Sequence, residues 1–255
     1  MDNRFRSAQL ANEFMEHASK TGLIVDLGCG TGANYQYLSR RKEAELPWRC
    51  VDRDGDALKI AAGRLPSDSV QFEMADLATD FTWIPANGDC AITASAFLDL
   101  TSKDWLGRFA ELVTRIPILI SMTASGPPVW HPVDDVDEAI ESCLESHRNR
   151  DHGFGPAAGL SATRCLAEKL TARNCHVSWK ASDWCVDYRD DEVLAALIDG
   201  FRRRALAKLP RGQVETWAKK RQQQTRAGIL KLTLPHMDLM SLPQQASFHE
   251  RMGET

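Results

Sequence analysis

The chain has the size and composition of one ordinary globular domain. It contains 255 residues, of which 43% are hydrophobic and 26% are charged, and its formal net charge is −4. A chain of this length buries a full core, so a single domain over 1–255 is the simplest expectation. The slight negative charge gives no electrostatic reason to expect a nucleic acid or an acidic membrane as a partner.

The N-terminal segment and the cysteines indicate where the protein is located. Residues 1–20 carry scattered charges and no apolar run, which predicts neither a signal peptide nor a transmembrane segment. The seven cysteines are odd in number and well spread, as is typical of reduced thiols inside a cell. No Cys-x-x-Cys pair and no Cys/His cluster has the spacing of metal ligands. We therefore expect a cytoplasmic protein without a metal site.

The first half of the chain alternates between helical and extended patterns. Leu10 and Phe14 lie four positions apart, as on one face of a helix, and later apolar runs have the length of buried strands. In chain order these patterns predict a helix over 4–18, a strand over 23–27, a helix over 33–41, a strand over 48–52, a helix over 56–65, strands over 70–74 and 88–95, a helix over 103–114 and a strand over 116–122. Strands that alternate with helices predict an α/β fold with a doubly wound, mostly parallel sheet.

Two segments in the second half of the chain are additional to the strands and helices that a minimal sheet of this kind needs. The first, 126–160, contains proline, histidine and a terminal Gly-Phe-Gly-Pro sequence, and we expect it to follow strand five as an insertion. The second, 190–226, has a helical stripe and predicts two helices between strands near 175–186 and 228–234. We expect the two insertions to form a cap within the single domain.

A glycine-rich loop follows the first predicted strand. Residues 24–32 run from an apolar strand through Asp26 to glycines at positions 28, 30 and 32. Glycines at such a strand-to-helix turn let the backbone approach a ligand closely. The spacing of Gly28, Gly30 and Ala33 also satisfies the dinucleotide pattern G-x-G-x-x-G/A, so a nicotinamide-dependent oxidoreductase stays open on spacing alone.

The acidic residue before the loop separates the two possible cofactors. The pattern D-x-G-x-G-x-G around Asp26 resembles motif I of the class I S-adenosylmethionine (SAM) dependent methyltransferases. A carboxylate beside the loop would repel a pyrophosphate, whereas it attracts the ammonium and sulfonium groups of SAM. The resemblance covers about residues 22–124. It implies a Rossmann-like methyltransferase fold of seven strands with helical insertions, in which the last strand, near 230–234, inserts antiparallel.

Acids after the second and third strands extend this resemblance. Asp52 stands where the family places an acceptor for both ribose hydroxyls, and Asp76 stands where it places an acceptor for the adenine amino group. Each of these residues is also of a type that forms turns. The cofactor-binding set implied by the resemblance is Asp26, Gly28, Cys29, Gly30, Gly32, Asn34, Asp52, Arg53, Asp76, Leu77 and Thr93.

The end of the fourth strand narrows the class of acceptor. The stretch 93–97 lacks the D/N-P-P-Y/F motif of adenine and glutamine methyltransferases, and no Pro-Cys pair is present there. These departures count against DNA amino-methylation and RNA cytosine methylation and leave small molecules, protein groups and other RNA positions open as acceptors. Among these we expect O- or N-methylation of a small molecule. The general base is left open between His131, His147, Asp151 and His152, each of which is also a common surface or capping residue type.

A basic segment near the C-terminus has two interpretations. Nine Lys or Arg residues and a single acid, Glu215, lie within 201–226. They are either a patch for RNA or the solvated face of two helices, and the overall charge balance favours the second interpretation. Methyl transfer to a small molecule is therefore the predicted function. An oxidoreductase, a non-catalytic SAM-binding module and, least of all, an RNA methyltransferase are the alternatives, and the oligomeric state is not predicted.

Overall fold

A computed structural model of the protein describes residues 4–41, 46–66, 68–79 and 81–244. Within these ranges the strands are β1 (Ile24–Leu27), β2 (Trp48–Asp52), β3 (Val70–Met74), β4 (Ala91–Ser95), β5 (Ile118–Ala124), β6 (Val129–His131), β7 (His176–Ala181), β8 (Trp184–Asp187), β9 (Lys231–Leu234) and β10 (His236–Leu242). The helices are α1 (Ala8–Ala18), α2 (Ala33–Leu38), α3 (Gly55–Ala62), α4 (Lys103–Leu112), α5 (Asp137–Arg148), α6 (Ala162–Thr171), α7 (Asp191–Ala205) and α8 (Arg211–Arg226). Short 3-10 helices cover Ser39–Arg41, Leu98–Leu100 and Gly159–Ser161.

Seven of the described strands form one sheet in the order β3-β2-β1-β4-β5-β10-β7. Strands β1 to β5 pair in parallel, whereas β10 runs antiparallel between β5 and β7. Every residue of β1 is buried, as expected at the centre of a sheet that is covered on both faces. The prediction of a doubly wound, seven-stranded, mostly parallel sheet is confirmed.

Alternate side chains of β1 enter two different cores. Ile24 packs with α1, α2 and α3, where it joins Phe14 and Leu58. Val25 and Leu27 join the core that contains α4 and α6. This division follows from the two-residue period of a strand. Helices therefore cover both faces of the sheet, and the carboxyl ends of β1 to β5 meet at one open edge.

A second, smaller sheet packs with the two predicted insertions, 126–160 and 190–226, and we call this unit the cap. Strands β6, β9 and β8 pair antiparallel in that order. They pack with α5, α7 and α8 around a third core, which contains Trp130, Phe201 and Trp217. Helices α7 and α8 are the two helices predicted within 190–226. No helix in the described ranges is long and apolar enough to span a membrane.

The prediction for the last strand of the main sheet is wrong. The segment near 230–234 is β9 of the small sheet, and the strand that inserts antiparallel is β10. Asp238 interrupts the apolar pattern of β10, which hides the strand. Its buried carboxylate accepts hydrogen bonds from Ser182 Oγ (2.8 Å), Met122 N (2.8 Å) and Ser7 N (2.7 Å), so its burial is compensated. The strand predicted near 175–186 is likewise two strands, β7 and β8, in different sheets.

Candidate functional site

The loop between β1 and α2 has a conformation that requires glycine. Gly28, Gly30 and Gly32 have φ angles of +61°, +53° and +86°, a region that other residues rarely adopt. A Cβ on Gly28 would lie 2.7 Å from Phe97 Cδ2, and one on Gly32 would lie 2.6 Å from Leu65 Cδ1. A Cβ on Gly30 would meet none of the described atoms within 4 Å. The outer two glycines therefore permit close packing, while the backbone at Gly30 is open to a ligand.

Asp52 connects the end of β2 to this loop. Its Oδ2 accepts a hydrogen bond from Gly30 N (2.8 Å), and its Oδ1 accepts one from Asp54 N (2.9 Å). A carboxylate oxygen accepts from two directions, so both oxygens can also accept hydrogen bonds from a ligand. The turn-forming and ligand-binding interpretations of Asp52 are therefore compatible.

The segment after β3 is arranged in a similar way. Asp76 is exposed, and its Oδ1 accepts from Ala78 N (3.0 Å), while no described protein group donates to its Oδ2. Leu77 is buried, and its carbonyl accepts from Trp105 Nε1 (2.7 Å), which fixes this segment against α4. The structure thus holds an available carboxylate oxygen beside an apolar side chain.

A cavity of about 180 Å³ lies at this edge of the sheet, and we call it the loop cavity. Five of the predicted cofactor residues line it, namely Gly28 from the glycine loop, Asp52 and Arg53 after β2, and Asp76 and Leu77 after β3. The rest of the lining is Ala75, Ala96, Phe97, Leu100, His152 and Phe154. The parallel topology has therefore brought the ends of β1 to β4 onto one surface.

An aromatic side chain from the cap closes one side of the loop cavity. The ring of Phe154 packs edge-on against Phe97 and Trp105, with ring centroids 5.6 Å apart in each pair. The backbone beside it is tied to the sheet, because Arg53 Nη1 donates to the carbonyl of His152 (3.0 Å). The Gly-Phe-Gly-Pro sequence therefore forms part of the wall of this cavity through Phe154.

Asp151, a candidate base from the sequence, has a different role in the structure. Its Oδ1 accepts hydrogen bonds from the backbone N–H groups of Gly153 (2.6 Å) and Gly155 (2.9 Å). It lines neither the loop cavity nor the larger cavity beside it. The carboxylate shapes the loop that carries Phe154, and it is not positioned to remove a proton from a ligand.

A second cavity, of about 430 Å³, adjoins the loop cavity, and we call it the helix cavity because α5 and α7 supply much of its wall. Leu100 and His152 line both cavities. The rest of the lining is Asp99, Ala124, Gly126, Pro128, Leu144, His147, Arg148, Ala196, Leu197, Gly200, Phe201, Arg203, Arg204, Leu234, Pro235 and His236. Two spaces that share a wall suit two ligands that have to meet.

His236 is a residue of the helix cavity that the sequence did not indicate. Its Nδ1 lies 2.8 Å from the carbonyl of Leu234, and since a carbonyl only accepts, Nδ1 carries the proton and Nε2 carries a lone pair. The ring stacks on Trp184, with centroids 5.5 Å apart. Burial lowers the pKa of His236 from its usual range. The imidazole is therefore neutral near pH 7. The only signal in the sequence is a histidine after Leu-Pro at the end of an apolar run.

Asp99 supplies a carboxyl group to the same cavity. Burial raises the pKa of Asp99, while its own backbone N–H and the nearby side chains of Arg148, His236 and His152 oppose the shift. The acid therefore faces three basic side chains across the helix cavity. This arrangement can hold a polar group of a ligand and share a proton with it.

The predicted histidines differ in their positions. His147 and His152 both line the helix cavity, with ring centroids 6.0 Å apart. The Nε2 of His152 is buried and has no hydrogen-bond partner among the described residues. Burial, followed by the charge of Arg150, lowers the pKa of His147. His131 is exposed on β6 and lines neither cavity, so its prediction as a candidate base is not supported by its position.

Three predicted cofactor residues lie beneath the glycine loop. Asn34 Nδ2 donates to Asp26 Oδ1 (2.7 Å) and lies 3.2 Å from Thr93 Oγ1, and Arg6 donates to Asn34 Oδ1 (2.6 Å). All four side chains are buried, and burial raises the pKa of Asp26 to about 7. Asp26 does not line the loop cavity, because its side chain on β1 meets Asn34.

The remaining predicted cofactor residues, Cys29, Gly30 and Gly32, belong to the backbone turn of the glycine loop. Cys29 is buried, and its Sγ lies 3.7 Å from the carbonyl of Gly30. Cys29, Gly30 and Gly32 do not line the loop cavity. Their contribution in this structure is the shape of the turn that presents Gly28.

Comparison with known proteins adds information at the level of the fold. No family model and no curated protein sequence matches this chain. The YcgJ protein from Bacillus subtilis is 12% identical over 92% of this chain and 99% of its own, with a TM-score of 0.54. A candidate methyltransferase from Bacillus halodurans C-125 is 13% identical over 92% of this chain and 98% of its own, with a TM-score of 0.50.

A third similar structure is phosphoethanolamine N-methyltransferase 2 from Haemonchus contortus, in complex with phosphomonomethylethanolamine and S-adenosylhomocysteine. It is 14% identical over 93% of this chain, with a TM-score of 0.51, and this chain spans 53% of that enzyme. The chain has a class I methyltransferase fold.

The methyltransferase fold accounts for the position of the two cavities. A dinucleotide-binding sheet has the strand order 3-2-1-4-5-6, whereas here β10 inserts antiparallel between β5 and β7. The insertion brings the start of β10, and His236 with it, beside the open edge of the parallel strands. In this methyltransferase fold the loop cavity lies over β1 to β4, and the helix cavity lies beyond β4 and β5 under the cap.

Proposed function

We propose that the protein is a SAM-dependent methyltransferase that acts on a small molecule. The observation that carries the proposal is the loop cavity, where the backbone of Gly28 meets two strand-end carboxylates, Asp52 and Asp76, beside a second cavity. The fold supports the proposal, because the neighbour from Haemonchus contortus is an N-methyltransferase in complex with S-adenosylhomocysteine.

The residues of the loop cavity fit the adenosine part of SAM. Asp52 has two oxygens that can accept hydrogen bonds from a vicinal diol. The free oxygen of Asp76 suits the amino group of adenine, and Leu77 and Phe154 offer apolar surface for its ring. The open backbone at Gly30 permits close approach of the ligand.

The glycine loop is less suited to a pyrophosphate. A dinucleotide is held by the free backbone N–H groups of such a loop. Here the N–H of Gly30 already donates to the carboxylate of Asp52, and a phosphate at this position would meet a negative charge. This contact favours SAM over a nicotinamide dinucleotide, and it replaces the sequence argument from Asp26, whose carboxylate is buried beneath the loop.

SAM supplies a methyl group on a sulfonium, so the protein has to orient the acceptor, exclude water and remove a proton where the acceptor carries one. In this proposal the helix cavity holds the acceptor, and Phe154 excludes water from the loop cavity. Nε2 of His236 accepts the acceptor's proton, because the imidazole is neutral and its Nδ1–H is held by Leu234. The imidazolium that forms is stabilised by the carboxyl group of Asp99, whose charge acts on His236.

Transfer of a labelled methyl group tests the proposed reaction. The protein is incubated with methyl-labelled SAM and separated small-molecule and RNA fractions of a cell extract. We expect label in a small molecule, and we expect the Asp52→Ala variant to lose most of it. Label in the RNA fraction would favour RNA methylation. Binding of S-adenosylhomocysteine without any transfer would favour a non-catalytic SAM-binding module.

A further inference from the structure

The helix cavity carries an excess of positive charge. Three guanidinium groups line it, those of Arg148, Arg203 and Arg204, against one carboxyl group, that of Asp99. Arg203, Arg204 and His147 also line an adjoining basic groove with Arg150 and Lys208. Leu100 and His152 line both the helix cavity and the loop cavity. The helix cavity therefore extends from the loop cavity at one end to a group of basic residues at the other.

Arg148 differs from the other two arginines because it interacts with the carboxyl groups of Asp99 and Glu141 only at longer range. Arg203 Nε lies 3.2 Å from Asp199 Oδ2, and Arg204 Nη1 donates to the carbonyl of Gly200 (3.0 Å). Arg148 makes no hydrogen bond or ion pair with any residue that the structure describes, although its side chain is half-buried. A guanidinium has five donors in a rigid fork that matches a carboxylate or a phosphate, and leaving it partly desolvated without a hydrogen-bond partner is unfavourable. A bound anion would satisfy it.

The rest of the wall is apolar. Leu144 from α5 and Leu197 from α7, together with Pro128, line the cavity near the basic residues. A ligand that fills this space therefore combines a negatively charged group with a hydrocarbon body. A fully hydrophobic ligand would leave the guanidinium of Arg148 unpaired, and a small inorganic ion would leave the apolar wall in contact with water.

We propose that the acceptor is an organic anion whose carboxylate or phosphate binds Arg148, with Arg204 at the basic end. Its hydrocarbon body lies against Leu144 and Leu197, and the atom to be methylated lies toward Leu100 and His236. This inference rests on the proposed function, because it assigns the acceptor class to the cavity that adjoins the cofactor cavity. Arg148 then fixes the acceptor's orientation, and it does not take part in the proton transfer.

Calorimetric titration of the full chain, saturated with S-adenosylhomocysteine, tests this inference. The probes are benzoate, phenyl phosphate and inorganic phosphate, with benzyl alcohol as the uncharged control. We expect at least one of the two aromatic anions to bind more tightly than both inorganic phosphate and benzyl alcohol. The better of benzoate and phenyl phosphate tells whether the acceptor carries a carboxylate or a phosphate.

The Arg148→Gln variant connects this binding to the proposed residue. We expect the affinity for the better anion to fall at least about tenfold, or about 1.4 kcal/mol, because charge-assisted bonds are lost. Arg164→Gln on α6 removes the same charge from an exposed position outside both cavities, and it should leave the affinity unchanged. If Arg148→Gln does not fold, Arg204→Gln is measured in its place, with an expected loss of about threefold or more.

The outcomes separate this inference from the proposed function. Equal binding of benzyl alcohol and the anions overturns the anionic acceptor while leaving a SAM-dependent enzyme in place. Unchanged anion affinity in Arg148→Gln, or in Arg204→Gln where that variant replaces it, has the same consequence. Absence of anion binding up to about 10 mM, where the binding free energy is only a few kcal/mol, overturns the anionic acceptor as well. If S-adenosylhomocysteine itself does not bind, the proposed function fails instead.

Discussion

The loop cavity and the helix cavity share a wall but are assembled in different ways. The predicted cofactor residues that line the loop cavity lie at or just after the ends of β1, β2 and β3, between positions 28 and 77. The helix cavity combines Asp99, the facing sides of α5 and α7, and His236 from the start of β10. The first cavity follows from local sequence and parallel topology, whereas the second depends on contacts between distant segments. The residues of the loop cavity can therefore be predicted from short sequence motifs, whereas those of the helix cavity cannot.

The largest expected effect is the loss of methyl-transfer rate on substitution of His236, a residue of the helix cavity. His236→Gln should lower the rate of methyl transfer about hundredfold or more while leaving the affinity for S-adenosylhomocysteine unchanged, because only the proton acceptor is removed. His131→Gln, exposed on β6, is the matched control and should retain the wild-type rate. The wild-type rate should rise with pH through an apparent pKa below the usual value near 6.5, since burial lowers the pKa of His236. An unchanged rate in His236→Gln would contradict the assignment.

A second prediction separates packing from ligand access within the glycine loop. Gly28→Ala should lower the free energy of unfolding by about 2–5 kcal/mol, because the new Cβ adds a collision with Phe97 to the strain of a left-handed backbone. Gly30→Ala adds strain alone, about 1–2 kcal/mol, but it should weaken S-adenosylhomocysteine binding more than it weakens the fold. Chemical denaturation and calorimetry measure the two quantities. Equal destabilisation by both substitutions would contradict the packing argument.

A third prediction concerns the buried acid beneath the same loop. Burial raises the pKa of Asp26 to about 7, so between about pH 4 and about pH 7 the folded protein holds a proton that the unfolded chain has released. The free energy of unfolding should therefore fall as pH rises through this window, by an amount on the order of 2–4 kcal/mol from this group. Asp26→Asn should remove that part of the fall.

Urea denaturation at about pH 4.5 and about pH 7.5 measures the change. Asp56→Asn, on the exposed side of α3, is the control and should keep the wild-type dependence. If Asp26→Asn shows the same loss of stability with pH as the wild type, the carboxyl group does not hold its proton in the folded state. The buried group would then be available as a charge to a cofactor, as the sequence pattern first indicated.

The smallest of these effects is expected at Asp52. Asp52→Ala should weaken S-adenosylhomocysteine binding at least about tenfold, because two charge-assisted hydrogen bonds to the ribose are lost. Asp54→Ala, two positions on, removes the acceptor that caps α3 at Asp56 N and Ala57 N. It should cost about 1 kcal/mol of stability with little change in affinity. If Asp54→Ala weakens binding as much as Asp52→Ala, the shape of the turn matters and the carboxylate does not bind the ribose.

The sequence allowed most of the parallel sheet to be predicted. β2 and β3 have the predicted bounds, because short apolar runs between turn residues leave few other interpretations. The sequence does not indicate β10, because Asp238 lies among its buried residues and the donors from Ser182, Met122 and Ser7 compensate for its burial. A local sequence pattern does not indicate hydrogen-bond donors that lie in three other segments of the chain.

The site divides in the same way. The resemblance to class I methyltransferases indicates Asp52 and Asp76, and the parallel strands bring both residues to one cavity. His131 is a candidate base by its place in the insertion 126–160, but its neighbour Trp130 enters the third core, and the two-residue period of β6 leaves His131 exposed. His236 depends on Leu234 for its tautomer and on Trp184 for its stacking, and both contacts come from the small sheet. Its role became visible only when β8, β9 and β10 were placed in space.

Equilibrium binding of the cofactor tests the central claim most directly. S-adenosylhomocysteine and NADPH are each titrated calorimetrically into the full chain. The loop cavity, with Gly30 N bonded to Asp52, predicts that S-adenosylhomocysteine binds at one site per chain and that NADPH does not bind at comparable concentration. Binding of NADPH in preference to S-adenosylhomocysteine would contradict the assignment of this protein as a SAM-dependent methyltransferase.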